Sequence, residues 1–200
     1  YPTEGKVRGQ ALTDLGEQRF APILEWISQT DAEVVLFCIP RKNGALFIKE
    51  ANKMGLLERL TFAWIGFNEI HHQTLDINER ERIVTCSSFV MSDDRHEAVE
   101  FVDRVQNIMG TDFPVTYYAH NHASAVAALA EAWKKAGEVS GNAALKTLPG
   151  LNFKGATGME TIDANSHHSS LNLVIAKGGA KHLKVVRRIG SVEANAGCIV

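Results

Sequence analysis

The 200-residue chain is 45% hydrophobic and has a formal net charge of −2. A chain of this length buries roughly 70% of its surface on folding, which fits one domain or two small lobes. Lysine and arginine are scattered except at 181–188, so the charge pattern argues against a nucleic-acid partner. No apolar run approaches the ~20 residues that a membrane span requires.

The three cysteines, Cys38, Cys86 and Cys198, lack CxxC spacing, which argues against a zinc knuckle or a disulfide framework. Cys38 and Cys86 lie in apolar runs, so we expect both to be buried as small hydrophobic residues. The first residues, YPTEGKVRGQ, have neither a Met nor the layout of a signal peptide. We therefore expect either a removed leader or a chain that begins inside a larger gene product.

Helix and strand patterns alternate from residue 17 onward. Four apolar residues at helical spacing predict a helix over 17–29. They are Phe20, Ile23, Leu24 and Ile27. The segment AEVVLFCI predicts a strand that is buried on both faces and ends at Pro40. NGALFIKEANKMG predicts a second helix, with Gly55 at its C-terminus.

The same alternation continues to residue 110. RLTFAWIG and RIVTCSSFV predict two further strands, and Asp93 and Asp94 open a helix, DDRHEAVEFVDRVQNIMG. We expect its inner stripe to consist of Val99, Val102, Val105 and Met109. Alternating helices and strands predict right-handed crossovers in a parallel sheet with helices on both faces. The predicted fold class is α/β, a three-layer α–β–α arrangement of Rossmann-like type.

The pattern changes after DFPVTYY. An alanine-rich segment, ASAVAALAEAWKKAG, predicts a helix that ends at Gly137, and GNAALKTLPG predicts a short second helix. Three β-like segments follow, GMETID, SLNLVIAKGG and KHLKVVRRIG.

Three histidine motifs raise the possibility of a metal site. His120 and His122 of the HNH tripeptide would share one face of a strand, but they lie at the start of a predicted helix, where such positions diverge. The adjacent pairs His71–His72 and His167–His168 are also poorly placed to share one ion. We expect helix-entry residues at 120–122 and a turn built by Asp163 and Asn165, rather than metal ligands.

No motif for nucleophilic catalysis is present. The sequence has no GxSxG elbow, no P-loop and no GxGxxG fingerprint, and Ser87 and Ser88 have no obvious local base. We therefore predict no catalytic residue, no metal and no cofactor. A metal-dependent hydrolase that uses the histidine pairs is the least favoured of three functional hypotheses.

Several segments in order resemble the amide- and urea-binding branch of the type I periplasmic binding proteins. The matching segments are ILEWISQTDAEVVLFCI, the helix from Ala128 to Gly137, and the GMETIDANSHH stretch with Gly158, Ile162, Asp163, His167 and His168. Members of this family are the substrate-binding components of branched-chain amino acid, amide and urea ABC transporters. In the family the last segment belongs to a structural hairpin.

The resemblance implies a division into lobes and a partial family member. Residues 1–113 resemble most of lobe II, residues 114–170 resemble a segment that returns to lobe I, and residues 171–200 cross back to lobe II as strands. On this template the chain matches only the carboxy-terminal portion, and the opening part of lobe I is missing. Exposed apolar surface on the alanine-rich helix would then favour self-association or pairing with the missing lobe.

The resemblance also places one half of an interlobe ligand cleft. Open α/β sheets bind ligands beyond the carboxyl ends of their strands. The predicted ligand-binding residues are Cys38, Arg41, Asn43, Trp64, Phe67, Asn68 and Ser88. A ring of Trp64 or Phe67 would stack on a flat amide, and Arg41 would favour a carboxylate. These loops read PRKN and IGFN where amide and urea binders have small hydroxyl- and glycine-rich loops, so a purely core role for Trp64 and Phe67 is the alternative.

The leading hypothesis is a non-enzymatic solute-binding protein that delivers an amide, urea or amino-acid-like solute to an ABC permease, in the periplasm or outside the cell. The second hypothesis is a cytoplasmic amide-responsive sensor of the same fold that releases a partner protein when ligand binds. In the leading hypothesis, ligand contacts made only in the closed state would drive hinge closure between the lobes.

Overall fold

The helices and strands follow the predicted order closely. The computed structural model describes residues 5–40 and 42–193. The helices are α1 (Ala21–Ser28), α2 (Lys42–Lys53), α3 (Leu56–Arg59), α4 (Glu69–Gln73), α5 (Ile77–Arg80), α6 (His96–Met109), α7 (Tyr117–Ala136) and α8 (Gly141–Thr147). The strands are β1 (Val34–Phe37), β2 (Thr61–Trp64), β3 (Ile83–Ser87), β4 (Asn152–Gly155), β5 (Gly158–Thr161), β6 (Leu171–Gly178) and β7 (Leu183–Val192). The first predicted helix is shorter than expected, and the short helices α3, α4 and α5 and the strand β4 were not predicted.

A five-stranded sheet has the order β1-β2-β3-β6-β7. Strands β1, β2 and β3 are parallel, which agrees with the helical crossovers between them. Strand β6 is antiparallel to β3, and β7 is antiparallel to β6 because a short turn joins these last two strands directly. Strands β4 and β5 form a separate antiparallel hairpin. The α/β fold class is confirmed, and the sheet is mixed.

The main hydrophobic core lies on one face of this sheet. Side chains of β1 and β2 pack there against α1 and α2, and the rings of Phe37 and Phe47 lie 5.0 Å apart. Phe20, Leu24, Ile48 and Phe62 are fully buried in the same cluster. Burial of each such side chain contributes on the order of 1.5–3 kcal/mol, so this cluster carries much of the stability.

The opposite side of β1 is exposed. Val34 and Leu36 have exposed fractions of 55% and 69%, and Cys38 and Cys86 are exposed free cysteines. The predictions that β1 is buried on both faces, and that these two cysteines are buried, are therefore wrong. The physical reason is alternation along each strand: α1 and α2 cover the side that contains Phe37, and the other side points away from them. Cys198 lies outside the described residues.

A second, smaller core joins α6 to α7. It contains Phe89, Ala98, Phe101, Val102 and Val115. The prediction of Val99 and Met109 as inner residues of α6 is wrong, because they are 44% and 56% exposed. The helix is rotated so that the larger Phe101 ring packs edge-on against Phe89, at 5.7 Å. Within the described ranges, no helix combines the length and apolar character needed to cross a membrane.

Two glycines allow a test of the packing between β6 and α5. We expect Gly178→Ala to lower the free energy of unfolding by about 1–3 kcal/mol, as overpacking typically does. A Cβ at Gly178 would lie 1.9 Å from the backbone oxygen of Arg80, which cannot move without shifting α5. Gly141→Ala at the start of α8 is the matched control, because a Cβ there meets nothing within 4 Å. Urea unfolding of both variants measures the difference, and equal stabilities would contradict the close approach.

Candidate functional site

The carboxyl ends of the three parallel strands meet at one edge of the sheet. There β1 leads into Cys38, β2 into Ile65 and Gly66, and β3 into Ser88. The edge is tied together by main-chain bonding, since the amide of Ile65 donates to the carbonyl oxygen of Phe37 at 2.9 Å. In open α/β sheets this is the edge at which ligands bind.

Of the predicted site residues near β1 and α2, Cys38 is exposed and Asn43 is half-buried. Cys38 is exposed, as a ligand contact requires. Asn43 is half-buried, and its Nδ2 donates to the backbone oxygen of Glu17 at 2.9 Å. Arg41 lies outside the described residues.

Trp64 and Phe67 lie in the hydrophobic core. Their exposed fractions are 1% and 0%, and their rings stack on each other at 5.2 Å. Gly44 packs directly against the Trp64 ring, where a Cβ would come within 2.1 Å of Cζ2. In this arrangement neither ring has surface available for a ligand, which agrees with the core alternative.

Asn68 and Ser88 are buried and already hydrogen-bonded. Asn68 begins α4, and its Oδ1 accepts from the amides of Ile70 and His71 at 3.0 and 3.3 Å. Ser88 Oγ donates to Asn121 Oδ1 at 2.8 Å. A ligand would have to replace these bonds, so contact of either side chain with a ligand stays a prediction.

Two tyrosines that the sequence did not single out complete the edge. Tyr117 and Tyr118 begin α7, with ring centroids 4.2 Å apart. A Cβ built on Gly66 would lie 3.4 Å from the hydroxyl of Tyr117, and Gly66 has a φ of +96°. Burial, the hydrogen bond with Tyr118 and the nearby Cys38 thiol raise the pKa of Tyr117, so it remains a neutral phenol.

We call the residues Cys38, Ile65, Gly66, Tyr117 and Tyr118 the carboxyl-edge surface. Ile65 and Tyr118 are 54% and 53% exposed, so the surface offers an apolar side chain and an aromatic ring to solvent. Tyrosine combines a flat apolar ring with a hydroxyl that donates and accepts, which suits a small ligand with a polar end. The sequence shows these tyrosines only as the TYY triplet that follows Pro114 and Val115. Nothing in the local pattern indicates that the triplet lies at this edge of the sheet.

Glu69 is a buried carboxyl group next to the same edge. It is 5% exposed, and its Oε1 accepts from the amide of Met91 at 2.7 Å. Its Oε2 has no hydrogen-bond partner among the described residues. Burial raises the pKa of Glu69 to about 7, although the bond from Met91 acts in the opposite direction.

A cluster of polar residues lies inside the second core. Ser124 Oγ donates to Glu160 Oε1 at 3.0 Å, and His120 Nε2 lies 3.3 Å from Thr157 Oγ1. The His120 ring also stacks on Phe89, with centroids 5.2 Å apart. His120 and Glu160 are each 1% exposed, and burial lowers the pKa of His120. Because these bonds run from α7 to the β4–β5 hairpin, the cluster joins the two elements.

The remaining histidine pairs lie at the end of a helix and in a turn. In the described part of the chain, no three His, Cys, Asp or Glu side chains group as ligands of one ion. His72 Nε2 lies 2.7 Å from the carbonyl oxygen of Gly179, which ties α4 to the β6–β7 turn. Asp163 Oδ1 accepts from the amides of Asn165 and Ser166 at 3.0 and 2.6 Å, and His167 has a φ of 59°. The predicted turn at this position is confirmed.

An open groove of about 790 Å³ lies between α6, α7 and β4. Its lining includes Glu100, Phe101, Arg104, Ser124 and Lys154. It shares no residue with the carboxyl-edge surface.

The mixed sheet and its carboxyl-edge surface define the α/β class in which ligands bind beyond the ends of parallel strands. The family model for periplasmic binding proteins matches residues 3–182, and the chain belongs to that family. No curated protein sequence matches the chain.

Solved structures of ABC transporter binding proteins have the same fold. A solute-binding protein from R. palustris in complex with benzoate superposes with a TM-score of 0.84 and 16% identity, over 98% of this chain and 54% of that chain. An amino acid ABC transporter substrate-binding protein from Pseudomonas fluorescens Pf-5 has a TM-score of 0.79 and 19% identity, over 91% and 51% of the two chains. A leucine-, isoleucine-, valine-, threonine- and alanine-binding protein from Brucella ovis, in a closed conformation, has a TM-score of 0.77 and 14% identity, over 91% and 50%.

The chain thus spans about half the length of these proteins. At such identities the likeness concerns the fold alone. The comparisons do not favour the sensor hypothesis, and the division of the chain into lobes stays a prediction.

Proposed function

We propose that this chain forms part of a non-enzymatic solute-binding protein of an ABC transporter, which acts in the periplasm or outside the cell. The family membership supports the transport role. The observation that carries the proposal is the carboxyl-edge surface, where three elements bring exposed Cys38, Ile65 and Tyr118 together at the edge expected for ligands.

The proposed ligand is a small amino acid, amide or urea. The Tyr118 ring offers a face on which the flat amide or the apolar part of such a ligand would stack. The neutral Tyr117 hydroxyl would donate to a carbonyl or carboxylate oxygen of the ligand. Arg41, Asn43, Asn68 and Ser88 remain proposed contacts on neighbouring loops, and an ABC permease is the proposed partner.

A solute panel tests this proposal. We expect isothermal titration calorimetry with leucine, alanine, acetamide and urea to detect binding of at least one of these solutes. Tyr118→Ala should weaken that binding roughly tenfold, about 1.4 kcal/mol, because the ligand loses its aromatic face.

Val126→Ala is the control, because Val126 is exposed on the same helix but lies beyond the carboxyl-edge surface. Equal effects of the two substitutions would place the ligand elsewhere. Absence of binding across the panel would contradict the proposed ligand class.

A further inference from the structure

Asn121 lies next to the carboxyl-edge surface, on α7. It follows Tyr117 by four positions and Tyr118 by three, and side chains at these spacings are neighbours on one face of a helix. Its Oδ1 accepts from Ser88 Oγ at 2.8 Å, and Ser88 is the first residue after β3. Asn121 is therefore bonded to the carboxyl end of β3 and shares a helix face with the two tyrosines of the surface.

A second donor holds the same oxygen of Asn121. His120 Nδ1 lies 2.9 Å from Asn121 Oδ1. Because an amide oxygen can only accept, the hydrogen of this bond belongs to Nδ1 of His120. Ser88 and His120 thus both donate to Oδ1, which has two lone pairs. These two bonds fix the orientation of the carboxamide, with Oδ1 toward Ser88 and His120 and Nδ2 on the other side of the group.

His120 is itself held on the far side of its ring. Its Nε2 lies 3.3 Å from Thr157 Oγ1, and the ring stacks on Phe89 with an interplanar angle of 9°. Burial lowers the pKa of His120, so the ring is neutral at pH 7 and has one hydrogen. With that hydrogen on Nδ1, Nε2 accepts from the Thr157 hydroxyl. His120 and Ser88 are 1% and 5% exposed, so both donors that orient Asn121 are fixed by the surrounding core.

The fixed orientation limits what Asn121 can offer to a ligand. With Oδ1 occupied by Ser88 and His120, Asn121 has the two hydrogens of Nδ2 for any further bond. Burial raises the pKa of Tyr117, so its hydroxyl, one helical turn earlier, is a neutral donor. Two donors on one helix face match the oxygen lone pairs of a carboxylate or an amide carbonyl. An ammonium group, which only donates, finds no acceptor on Asn121.

We infer that Asn121 is a specificity-determining residue that donates from Nδ2 to a carboxylate or carbonyl oxygen of the solute, with Ser88 and His120 as its positioning residues. This role rests on the proposed function, because it requires a small solute at the carboxyl-edge surface. It adds the orientation of that solute: the carboxylate or carbonyl end lies against α7.

Asn121→Asp separates this role from a structural one. Aspartate has the shape of asparagine and keeps an oxygen that accepts from Ser88 and His120, but it has a second acceptor in place of the Nδ2 donor. Titration calorimetry should show a loss of about tenfold or more in affinity for each solute of the panel that the unmodified protein binds. Asn142→Asp is the matched control, because Asn142 is exposed on α8 and undergoes the same change of charge, and it should alter affinity by less than about twofold.

A solute without an acceptor gives the complementary test. Ethylamine is close to acetamide in size, but its polar end is an ammonium group. It should bind the unmodified protein about tenfold or more weakly than the tightest-binding solute of the panel. Asn121→Asp should narrow this difference, because the new carboxylate attracts the cation and repels a carboxylate. A general loss of structure would weaken binding of both solutes alike, so a change in their ratio identifies Asn121 as the residue that distinguishes them.

Nitrogen-15 NMR tests the orientation of the carboxamide without any ligand. The hydrogen of the neutral His120 ring should be on Nδ1. Ser88→Ala should shift the Nδ2 amide signals of Asn121, which are assigned by their absence from the spectrum of Asn121→Asp. Circular dichroism establishes that each variant is folded.

The outcomes distinguish this role from the proposed function. Equal solute affinities of Asn121→Asp and the unmodified protein would overturn the role of Asn121 and leave the proposed function intact. A hydrogen on Nε2 of His120 would do the same, because it would turn the Asn121 carboxamide around. If the unmodified protein binds none of the four solutes, the proposed function fails and the role of Asn121 fails with it.

Discussion

Trp64→Ala is expected to lower the free energy of unfolding by about 3–5 kcal/mol, the range typical of a buried aromatic residue truncated in a core. Trp64 is 1% exposed, and its ring stacks between Phe37 and Phe67, each at 5.2 Å. Gly44 is fitted against the same ring, so that truncation leaves a cavity that α2 cannot fill with its own side chain. Urea unfolding followed by circular dichroism measures the effect.

Trp26→Ala provides the matched control for this prediction. Trp26 is on α1 and is 40% exposed, so its removal should cost about 1 kcal/mol or less. A cost for Trp64→Ala as small as that of the control would show that the ring is not part of the core. A large cost for Trp64→Ala would also argue against a ligand contact at Trp64, because moving the ring out of the core to meet a ligand would lose the same stabilisation.

Glu69→Gln is expected to make the protein more stable at pH 8 while changing its stability little near pH 4.5. The pKa of Glu69 is raised to about 7 by burial. A group whose pKa is higher in the folded state stabilises the fold below its unfolded pKa, and this stability is lost as the pH rises toward the folded value. The loss therefore falls between about pH 4.5 and pH 7 and amounts to about 3 kcal/mol.

The glutamine side chain retains an acceptor for the Met91 amide but has no charge to bury. The measurement is the difference in unfolding free energy between Glu69→Gln and the unmodified protein at several pH values. That difference should grow with pH up to about 7 and then stay constant. A difference independent of pH would mean that the Glu69 carboxylate is well solvated.

Comparison with the unmodified protein matters because two histidines act in the opposite direction. Burial is the first cause that lowers the pKa of His72 and of His120. Stability from a histidine with a lowered pKa is present above the unfolded value near 6.5 and is lost as the pH falls through the folded value. The total pH dependence is therefore a sum of opposing contributions, and only the variant isolates that of Glu69.

The order of elements and the parallel strands could be predicted because they depend on local pattern. AEVVLFCI and RLTFAWIG are short β-branched or aromatic runs between helical segments, and they form β1 and β2 in parallel. Which face of β1 is covered could not be predicted in the same way. Leu36 and Phe37 are both apolar, and only the position of α2 decides that Phe37 is buried and Leu36 exposed.

The position of the candidate site follows from the sequence, but the residues that form it do not. The carboxyl edge follows from the parallel strands, and Cys38 is exposed there. Trp64 and Phe67 were assigned to the ligand because aromatic rings near this edge often stack on ligands, yet packing against Gly44 and Phe37 places Trp64 inside. Tyr117 reaches the edge from α7, about 50 residues further along the chain than Gly66, and no local pattern encodes such a contact.

The pairing of β3 with β6 also affects how the chain emerges from the ribosome. Strand β3 ends at Ser87, but its neighbour β6 begins only at Leu171. Translation at about 5–20 residues per second leaves one edge of β3 without a hydrogen-bonding neighbour for on the order of 4–17 s. Throughout that interval the nascent chain presents extended backbone to other nascent chains and to chaperones, and late synthesis of β6 ends the exposure.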